Sequence, residues 1–366
     1  MQSRSESIGL PITELDTPAL LLDVDAVERN IKKMAANCRQ WGVALRPHAK
    51  THKSPEVSRL QLEAGALGIC CAKLGEAEVQ ADGGIDRILI TTEIVGAAKV
   101  RRLLALAQRT HLMTVVDDVA AAEQLSGAAT AAGITLDTLV DVNIGMGRTG
   151  IRAGEAACDL AKSVDRLPGL HFVGLQGYEG NLQFLNPAAE RGRQVAAAMD
   201  SLLDTAMRIR KAGIEVELLS TGGTGTSRFV GETDGVTEIQ AGSYVVMDSR
   251  YANVEGIDFE NGLTVLTTVL SRAARDDAVI VDAGLKTLST DHGPASPKGL
   301  PGATYEAAGD EHGRVMVAGT RPDLGSKLEL IPSHCDTTIN LHDYYHVVRD
   351  EEVVAVWPIA ARGRVQ

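Results

Sequence analysis

Aromatic residues are scarce in this sequence: two tryptophans, six tyrosines and four phenylalanines make up 3% of its 366 residues. Glycine, by contrast, occurs 37 times, and alanine is also abundant. This balance disfavours an aromatic-rich β-sandwich and favours many short strand–helix units. The apolar fraction of 44% and the charged fraction of 23% are typical of a globular protein. A chain of this length predicts one large barrel or two domains.

Long apolar runs and long basic tracts are both missing. No stretch approaches the roughly 18 consecutive apolar residues of a membrane-spanning helix, and the polar N-terminus lacks the apolar core of a signal peptide. The net charge of −12 argues against nucleic acid or an anionic membrane as the main partner. We therefore expect a cytoplasmic protein without nucleic-acid or membrane partners, which leaves room for a small anionic ligand in a local pocket.

Cysteines are few, and their number and spacing exclude a disulfide framework and a paired zinc motif. The count of five is odd, and no pair has zinc-site spacing. Neighbouring strand residues point to opposite faces, so Cys70 and Cys71 cannot supply two ligands on one face and are expected to be buried. We expect reduced thiols at all five positions, which are Cys38, Cys70, Cys71, Cys158 and Cys335.

Short strand-like runs alternate with helical segments from about residue 43 to residue 248. There are about eight such runs, and strand–helix alternation predicts a parallel sheet. Eight units in roughly 200 residues fit a (β/α)₈ barrel better than a doubly wound open sheet. From about residue 260 the runs are strand-like with little helix, which predicts a second, all-β domain. We expect a barrel over residues 20–255 and a β-strand domain formed by 1–19 and 256–366, although the run "TPALLLDVD" fits either unit.

The stretch "RPHAKTHKS" places three basic side chains and two histidines within nine residues of an acidic chain. If 43–50 is a strand, Arg46, His48 and Lys50 share one face, and Lys50 stands at the strand end that meets a barrel's active-site mouth. Partial burial beside cationic groups would lower the pKa of Lys50 and make its amine nucleophilic. The alternative is an ordinary solvated strand end.

A glycine-rich stretch, "STGGTGTS" at 220–227, closes a later predicted strand. Glycines let the backbone approach an anion, and hydroxyls and amides supply hydrogen-bond donors to a phosphate. The spacing matches neither a Walker loop nor a dinucleotide fingerprint, and a simple glycine turn is the alternative. In barrels, phosphates commonly bind at the loops after the late strands. A lysine on the first strand and a phosphate loop on the seventh together suggest pyridoxal phosphate.

The segment "PSHCDTTINLHD" at 332–343 predicts a metal site in the second domain. In an extended segment His334 and Asp336 point the same way, and Cys335 points away. One imidazole and one carboxylate suit a hard or borderline divalent cation with open positions for water or substrate. The alternative is a hydrogen-bonded strand histidine beside a turn aspartate.

An ordered set of motifs resembles the metal-activated D-threonine aldolases, which group with D-serine dehydratases and D-3-hydroxyaspartate aldolases in the alanine-racemase-like fold. The resemblance runs from about residue 15 to the C-terminus. It implies a barrel, a C-terminal β-domain and a homodimer with the active site near the interface. The motifs are LDTPALLLD, RPHAKTHK, GICCAK, GRTG, LQGYEG, GGTGTS, QAGSYVVMD, DAGLK, DEHG, HCDTTINLHD and a terminal ARG.

The resemblance also implies roles for single residues. Lys50 is similar to the lysine that bonds covalently to the cofactor, Arg148 to the arginine near its pyridine nitrogen, and Tyr178 to a tyrosine lining its site. Arg148 as a surface ion-pair partner and Tyr178 as a core residue are the alternatives. The phosphate ligands would be Gly223, Thr224, Gly225, Gly242 and Ser243, and the metal ligands would be His334 and Asp336.

Two details bear on the reaction. The related dehydratases carry His-x-Cys, whereas this chain has a carboxylate at Asp336, which favours an aldolase and manganese, with magnesium, cobalt or zinc as alternatives. The aldolases follow the tyrosine motif with Gln-His, whereas this chain has Gln183–Phe184. If that histidine is a base, this chain must use another group, with Glu179, His52 or a water on the metal as candidates.

The predicted activity is cleavage of a D-β-hydroxy-α-amino acid that depends on pyridoxal phosphate and a divalent metal. D-Threonine would give glycine and acetaldehyde. D-3-Hydroxyaspartate is an alternative substrate, and a dehydratase releasing a 2-oxo acid and ammonia is an alternative reaction. A non-catalytic pyridoxal phosphate-binding protein is the alternative of a different class, but residues 260–366 argue against it, because barrels of that kind lack a second domain.

Overall fold

The first part of the chain alternates strands with helices. The computed structural model describes residues 6–273 and 275–366. The elements up to residue 239 are β1 (Ala19–Asp23), α1 (Val24–Trp41), β2 (Ala44–Leu45), α2 (Pro55–Glu63), β3 (Ile69–Cys71), α3 (Leu74–Asp82), β4 (Ile88–Ile90), α4 (Ala97–Ala107), β5 (Leu112–Val116), α5 (Val119–Ala132), β6 (Leu136–Asn143), β7 (Ile151–Arg152), α6 (Glu155–Arg166), β8 (Leu170–Gly177), α7 (Ala188–Lys211), β9 (Leu218–Thr221), α8 (Ser227–Gly231) and β10 (Glu238–Ile239).

The parallel strands form a barrel. Their order is β2-β10-β9-β8-β6-β5-β4-β3, with the short β7 paired to β6. A parallel bridge between His48 and Cys70 joins the two ends of this order, supported by a 2.8 Å hydrogen bond from Ala49 N to Cys70 O. The predicted fold class is therefore confirmed. The strand predicted at 43–50 is regular only at Ala44–Leu45, since Pro47 has no N–H to donate to the ladder.

Local sequence signals set the helix ends around the first barrel strand. Ser54 occupies the N-cap of α2, and Pro55 occupies its first position, where proline is favoured. After the C-cap at Ala64, Gly65 takes a φ of 104°, a conformation that glycine adopts without steric cost. Because α2 begins at Pro55, the loop between β2 and α2 is short, and Lys50 lies in a turn within it.

The second sheet gathers the C-terminal strands around β1. Its main order is β14-β15-β12-β11-β1-β17-β18, with β16 on β11 and β13 on β16. Its remaining elements are β11 (Leu263–Ser271), β12 (Ala278–Val281), β13 (Ser296–Pro297), β14 (Thr304–Ala307), β15 (Gly313–Met316), β16 (Lys327–Ile331), α9 (Cys335–Ile339), β17 (Tyr344–Arg349) and β18 (Glu352–Pro358).

Strand β1 lies inside this second sheet, although it precedes the whole barrel in sequence. It pairs antiparallel with β11 and parallel with β17. The predicted domain boundary at residue 20 cuts through this strand, and the pairing extends the N-terminal contribution to the second sheet as far as Asp23. The Asp23 side chain then accepts a 2.9 Å hydrogen bond from Ala26 N and so begins α1.

The cysteines are all buried, and none forms a disulfide, as predicted. Cys70 packs inside the barrel with Leu89 and Met113, whereas Cys71 faces the helices and joins the main core. Burial raises the pKa of both thiols well above its ordinary value, which keeps them protonated. In the described part of the chain, no helix has the length and apolar character needed to cross a lipid bilayer.

Candidate functional site

A cavity of about 330 Å³ opens at the carboxyl ends of the barrel strands, within the size range of small-molecule sites. Its wall combines loops of the barrel with residues of the second domain. Most of the residues singled out from the sequence meet here, namely Lys50, Arg148, Tyr178, Gly223, Thr224, Gly242, Ser243, His334 and Asp336. Gly225, His52 and Glu179 are not among its lining residues.

Lys50 lies at this cavity, but its electrostatic surroundings differ from the prediction. Burial is the largest single influence and lowers the pKa of Lys50, but the charges of Asp336, Tyr178 and Glu76 together raise the pKa overall. The two predicted cationic neighbours, Arg46 and His48, do not lower the pKa of Lys50 as expected. Arg46 is buried in an ion pair with Glu238 at 3.0 Å, which neutralises its charge. Burial lowers the pKa of His48 well below its ordinary value, so that histidine is neutral.

The glycine loop after β9 is built on close backbone approaches. Gly225 N donates a 2.8 Å hydrogen bond to Gln183 Oε1, and Gly223 N donates a 3.0 Å bond to Thr226 Oγ1. A Cβ at Gly225 would lie 1.9 Å from the Gln183 carbonyl oxygen, and a Cβ at Gly223 would lie 2.6 Å from Gln183 Oε1. Glycine is therefore required at Gly225, whereas a side chain at Gly223 would need the Gln183 side chain to move; only Gly223 lines the cavity.

Replacing Gly225 by alanine is expected to push this loop away from Gln183 and out of its present position. We expect a loss of about 1–3 kcal/mol in the free energy of unfolding and weaker binding of pyridoxal phosphate. Thermal denaturation and cofactor titration measure the two effects. Gly127→Ala is the matched control, since nothing lies within 4 Å of its Cβ and it sits inside α5. Equal behaviour of the two variants would contradict this role for the loop.

Glu179 was predicted as a base, but its carboxylate instead accepts hydrogen bonds from the glycine loop at 220–227 and from Gln183. Its carboxylate accepts hydrogen bonds from Gln183 Nε2 (3.2 Å), Thr226 Oγ1 (2.5 Å) and Thr221 Oγ1 (3.1 Å), and the side chain is fully buried. Because these donors occupy both oxygens and the residue does not line the cavity, the structure gives Glu179 a structural position. Gln183, which sequence reasoning did not assign, shares this network and lines the cavity.

His52 also lies away from the cavity. It is fully buried, its Nδ1 accepts a 3.2 Å hydrogen bond from Ser54 N, and burial lowers its pKa to about 4. Its backbone oxygen accepts a 2.7 Å bond from the Tyr345 hydroxyl. The structure therefore places His52 in the contact between the barrel and the second domain, and does not bring it to the reacting groups as predicted.

The cavity wall fits an anionic cofactor such as pyridoxal phosphate. Thr51 is fully buried and lines the cavity, and its Oγ1 has no hydrogen-bond partner among the described residues. A Cβ at Gly242 would lie 2.8 Å from that oxygen, so the glycine keeps the cradle open. The same cavity is lined by Arg148 and Tyr178, and the Arg148 guanidinium lies 5.5 Å from the centre of the Tyr178 ring. A free hydroxyl for a phosphate and a cation beside an aromatic ring are thus both present.

The predicted metal residues come together, but not in an extended segment. His334 is the N-cap residue of the short helix α9, and Asp336 lies in its first turn. At the start of this helix Asp248 Oδ2 accepts a 3.1 Å bond from Cys335 N, an amide that has no partner within the helix. His334 Nε2 and Asp336 Oδ2 are 3.9 Å apart. Asp336 Oδ1 is buried without a partner among the described residues, so this donor set fits a divalent cation.

Two further residues beside this pair were missed by sequence reasoning. Ligand atoms of Asp291, His292 and His334 all lie within 4.8 Å of one another. The His292 ring stacks on the His334 ring with centroids 4.0 Å apart and planes 10° apart. The adjacent Asp-His in "TDHG" was the available signal, but only the fold brings that loop to α9.

Phe184 forms an aromatic wall next to the metal residues. Its ring packs 4.6 Å from Tyr251 and meets His292 edge-on at 5.6 Å, while the Arg250 guanidinium lies 3.7 Å from its centre. The phenyl ring of Phe184 thus takes the place at which the related aldolases are expected to have a histidine. The imidazole of His292, from the second domain, lies next to it.

A buried polar network underlies the Arg148 loop. Asp141 accepts hydrogen bonds from Gln176 Nε2 at 2.8 Å and from Thr149 Oγ1 at 3.1 Å. Burial raises the pKa of the neighbouring Glu93 to about 7, and the charges of Asp141 and Asp117 act in the same direction. Glu93 Oε1 is buried and has no donor among the described residues, so it suits the protonated acid. The network links the barrel interior to the cavity mouth.

This raised pKa predicts a pH-dependent stability. An unfolded glutamate ionises near pH 4.3, so the contribution of protonated Glu93 is complete below that pH and is lost as the pH rises through about 7. Glu93→Gln should therefore stabilise the protein at pH 8 but hardly at pH 5, by about 1 kcal/mol after allowance for partial solvent exposure. Urea denaturation at both pH values measures this. The exposed control Glu63→Gln should show no such difference, and a pH-independent Glu93→Gln effect would contradict the assignment.

Comparison with known proteins places these residues in a family. Residues 22–250 match the alanine racemase N-terminal domain, and residues 262–348 match a putative serine dehydratase domain. The chain is 43% identical to the D-threonine aldolase of Arthrobacter sp over 97% of this chain and 95% of that protein. It is 38% identical to the 3-hydroxy-D-aspartate aldolase of Paracoccus denitrificans over 97% of this chain and 94% of that protein.

A solved structure gives the same result. The D-threonine aldolase of Filomicrobium marinum superposes with a TM-score of 0.95 at 41% identity, covering 98% of this chain and 99% of that one. The likeness extends over both the barrel and the second domain. The chain therefore belongs to the D-threonine aldolase and D-serine dehydratase family of alanine-racemase-like enzymes, which depend on pyridoxal phosphate.

Proposed function

We propose that the protein cleaves the Cα–Cβ bond of D-β-hydroxy-α-amino acids, converting D-threonine to glycine and acetaldehyde. The observation that carries this proposal is the shared cavity, in which Lys50 faces His334 and Asp336. A lysine for a carbonyl cofactor and a ligand pair for a cation then act on neighbouring atoms of one substrate.

Residues in different parts of the cavity have different roles in the proposed reaction. Lys50 holds the cofactor and exchanges protons at the substrate's Cα. Thr51, Thr224 and Ser243 would bind the phosphate, and Arg148 would contact the cofactor from the same cavity wall. His334 and Asp336 would hold a divalent cation that polarises the substrate's β-hydroxyl. When bound, the cofactor supplies an electron sink for Cα, and the cation supplies a Lewis acid for the hydroxyl oxygen.

Manganese is the proposed cation. Asp336 offers a hard carboxylate oxygen and His334 a borderline imidazole nitrogen, a pair that suits manganese better than a thiolate-containing site would. Magnesium, cobalt and zinc are alternatives that the same pair can bind. Asp336 Oδ1, which is buried and has no hydrogen-bond partner in the described part of the chain, is an oxygen free to bind the cation.

The aromatic wall favours an apolar β-substituent. Beside His334 the substrate would meet Phe184 and Tyr251, and the nearby cation of Arg250 is covered by the Phe184 ring at 3.7 Å. A methyl group or a larger apolar group can pack there, whereas a carboxylate would need that arginine uncovered. We therefore rank D-threonine above D-3-hydroxyaspartate as a substrate.

We also propose a homodimer that acts in the cytoplasm. A second cavity shares Lys50 and Asp336 with the first, and its rim carries the exposed side chains of Leu285 and Leu341. An exposed apolar rim around a catalytic opening is suited to cover by a second copy of the chain. Light scattering of the purified protein measures the mass, and a monomer would contradict this proposal.

A product assay tests the proposed activity. The cofactor-loaded protein is given manganese and either D- or L-threonine, with a chelator as control. We expect acetaldehyde and glycine from the D-isomer only, and only with the metal. Metal-dependent 2-oxobutanoate and ammonia would make the enzyme a dehydratase. Absence of turnover of every β-hydroxy amino acid, with or without chelator, would favour a non-catalytic cofactor-binding protein.

A further inference from the structure

Asp291 accepts hydrogen bonds from the two residues at the ends of the metal-binding segment 334–337, His334 and Thr337. Its Oδ2 accepts a 2.6 Å hydrogen bond from His334 Nδ1. Its Oδ1 accepts a 3.2 Å bond from Thr337 Oγ1, the residue that follows Asp336 in α9. Ser289 Oγ donates to the same Oδ1 at 2.5 Å, which fixes the carboxylate in its own loop. Asp291 thus connects a loop of the second sheet to α9.

The contact with Asp291 determines which imidazole nitrogen of His334 carries the proton. An ionised carboxylate has no hydrogen to donate, so the proton of the 2.6 Å bond lies on Nδ1. In a neutral imidazole the lone pair is then on Nε2. That nitrogen is the one 3.9 Å from Asp336 Oδ2. The hydrogen bond therefore presents a ligand nitrogen towards Asp336 and the cavity.

Asp291 differs from Asp336 in the use of its oxygens. Both oxygens of Asp291 accept hydrogen bonds from side chains, whereas Asp336 Oδ1 is buried with no partner among the described residues. Three hydrogen bonds use most of the roughly four acceptor positions of the Asp291 carboxylate, and one of them is the bond to His334 that a residue orienting a ligand needs. Asp291, His292 and His334 are close enough to suggest a second ligand set, and a cation bound there through Nδ1 of His334 would replace its hydrogen bond to Asp291.

We propose that Asp291 is a positioning residue for the metal site: it fixes the tautomer and orientation of His334 and does not itself bind the cation. This inference rests on the proposed metal site at His334 and Asp336. Hydrogen-bonded partners of this kind typically change metal affinity by about 10–100-fold when they are removed. Asp291 would thus set how tightly the enzyme holds its cation without contacting the substrate.

The test combines two measurements on cofactor-loaded protein stripped of divalent cations. Nitrogen-15 NMR of labelled histidine reports the tautomer of His334, with His334→Ala identifying its signals. Calorimetric titration with Mn²⁺ reports affinity and stoichiometry. The variants are Asp291→Ala, which removes the acceptor, and Asp291→Asn, which keeps an acceptor oxygen. Asp137→Ala is the matched control, because its carboxylate accepts 2.8 Å bonds from both His111 and His171 outside the site.

We expect the Nδ1–H form in the wild type and its loss in Asp291→Ala, with Mn²⁺ bound about 10–100-fold more weakly at unchanged stoichiometry. Asp291→Asn should recover the tautomer and part of the affinity, and Asp137→Ala should change neither. The inference is overturned if Asp291→Ala keeps both the tautomer and the affinity. It is also overturned if Asp291→Asn loses as much affinity as His334→Ala, since Asp291 would then be a ligand.

The failure of the proposed metal site would look different. In that case His334→Ala and Asp336→Ala would bind Mn²⁺ as tightly as the wild type. The NMR arm would still show whether Asp291 fixes the tautomer, because it is recorded without metal. The part played by Asp291 and the location of the cation are therefore decided separately.

Discussion

Replacement of Lys50 by alanine is expected to lower kcat/KM by roughly 10³-fold or more, because the amine both holds the cofactor and moves protons at the reacting carbon. The residue lines both cavities that meet at Asp336, so no solvated surface role explains its position. Steady-state kinetics on D-threonine measures the loss. The exposed Lys286→Ala, in the second domain, should keep wild-type activity.

The covalent role of Lys50 can be measured directly. Borohydride reduction of the cofactor-loaded wild type, followed by peptide mass spectrometry, should find the pyridoxyl group on Lys50. Lys53 is the informative competitor, since it lines the second cavity three residues away. It is buried in an ion pair with Glu76, whose other oxygen accepts amide bonds from Ala72 at 2.9 Å and Lys73 at 3.1 Å. A pyridoxyl group on Lys53 would contradict the assignment.

Replacement of Asp336 by alanine is expected to abolish metal activation and to lower kcat by roughly 10²–10³-fold, which corresponds to a few kcal/mol of lost charge stabilisation. The carboxylate supplies half of the ligand pair, and its Oδ1 is the buried oxygen left open for a cation. Activity measured against Mn²⁺ concentration tests this. The exposed Asp310→Ala should respond to Mn²⁺ like the wild type.

A second variant at this position tests the chemistry of the donor. Asp336→Cys replaces a hard oxygen by a thiolate, so the preferred cation should shift from manganese towards zinc. Metal analysis of the variant grown with both metals measures the shift. If Asp336→Ala keeps full metal activation, or if the cysteine variant shows no change in preference, the ligand pair lies elsewhere.

The sequence predicted the barrel and most of the cavity because the signals for both are local. Strand–helix alternation predicts a parallel barrel, and the rule that loops at the carboxyl ends of barrel strands form the site brings Lys50 and the glycine loop at 220–227 together, while Arg148 was identified from the family resemblance. The resemblance to a known family then gave these residues their roles. The structure places each of them in one cavity.

The predictions that failed depended on contacts between distant segments. Alternation indicates which face of a strand a residue occupies, but it does not show that Asp336 of the second domain approaches Lys50, so the pKa of Lys50 was predicted in the wrong direction. Glu179 follows the tyrosine motif, yet donors from the glycine loop fill its carboxylate. The start of the helix α9 is hydrogen-bonded to Asp248, a residue 87 positions away from its partner Cys335.

The central claim is that the cofactor lysine and one metal ion meet in a single cavity. The most direct measurement is anomalous diffraction at the manganese edge from crystals of the cofactor-loaded protein. We expect one Mn²⁺ peak between His334 Nε2 and Asp336, in the cavity that holds Lys50. A peak on the other side of that imidazole, bound to Asp291 and His292, would contradict it, and so would a metal held outside the cavity.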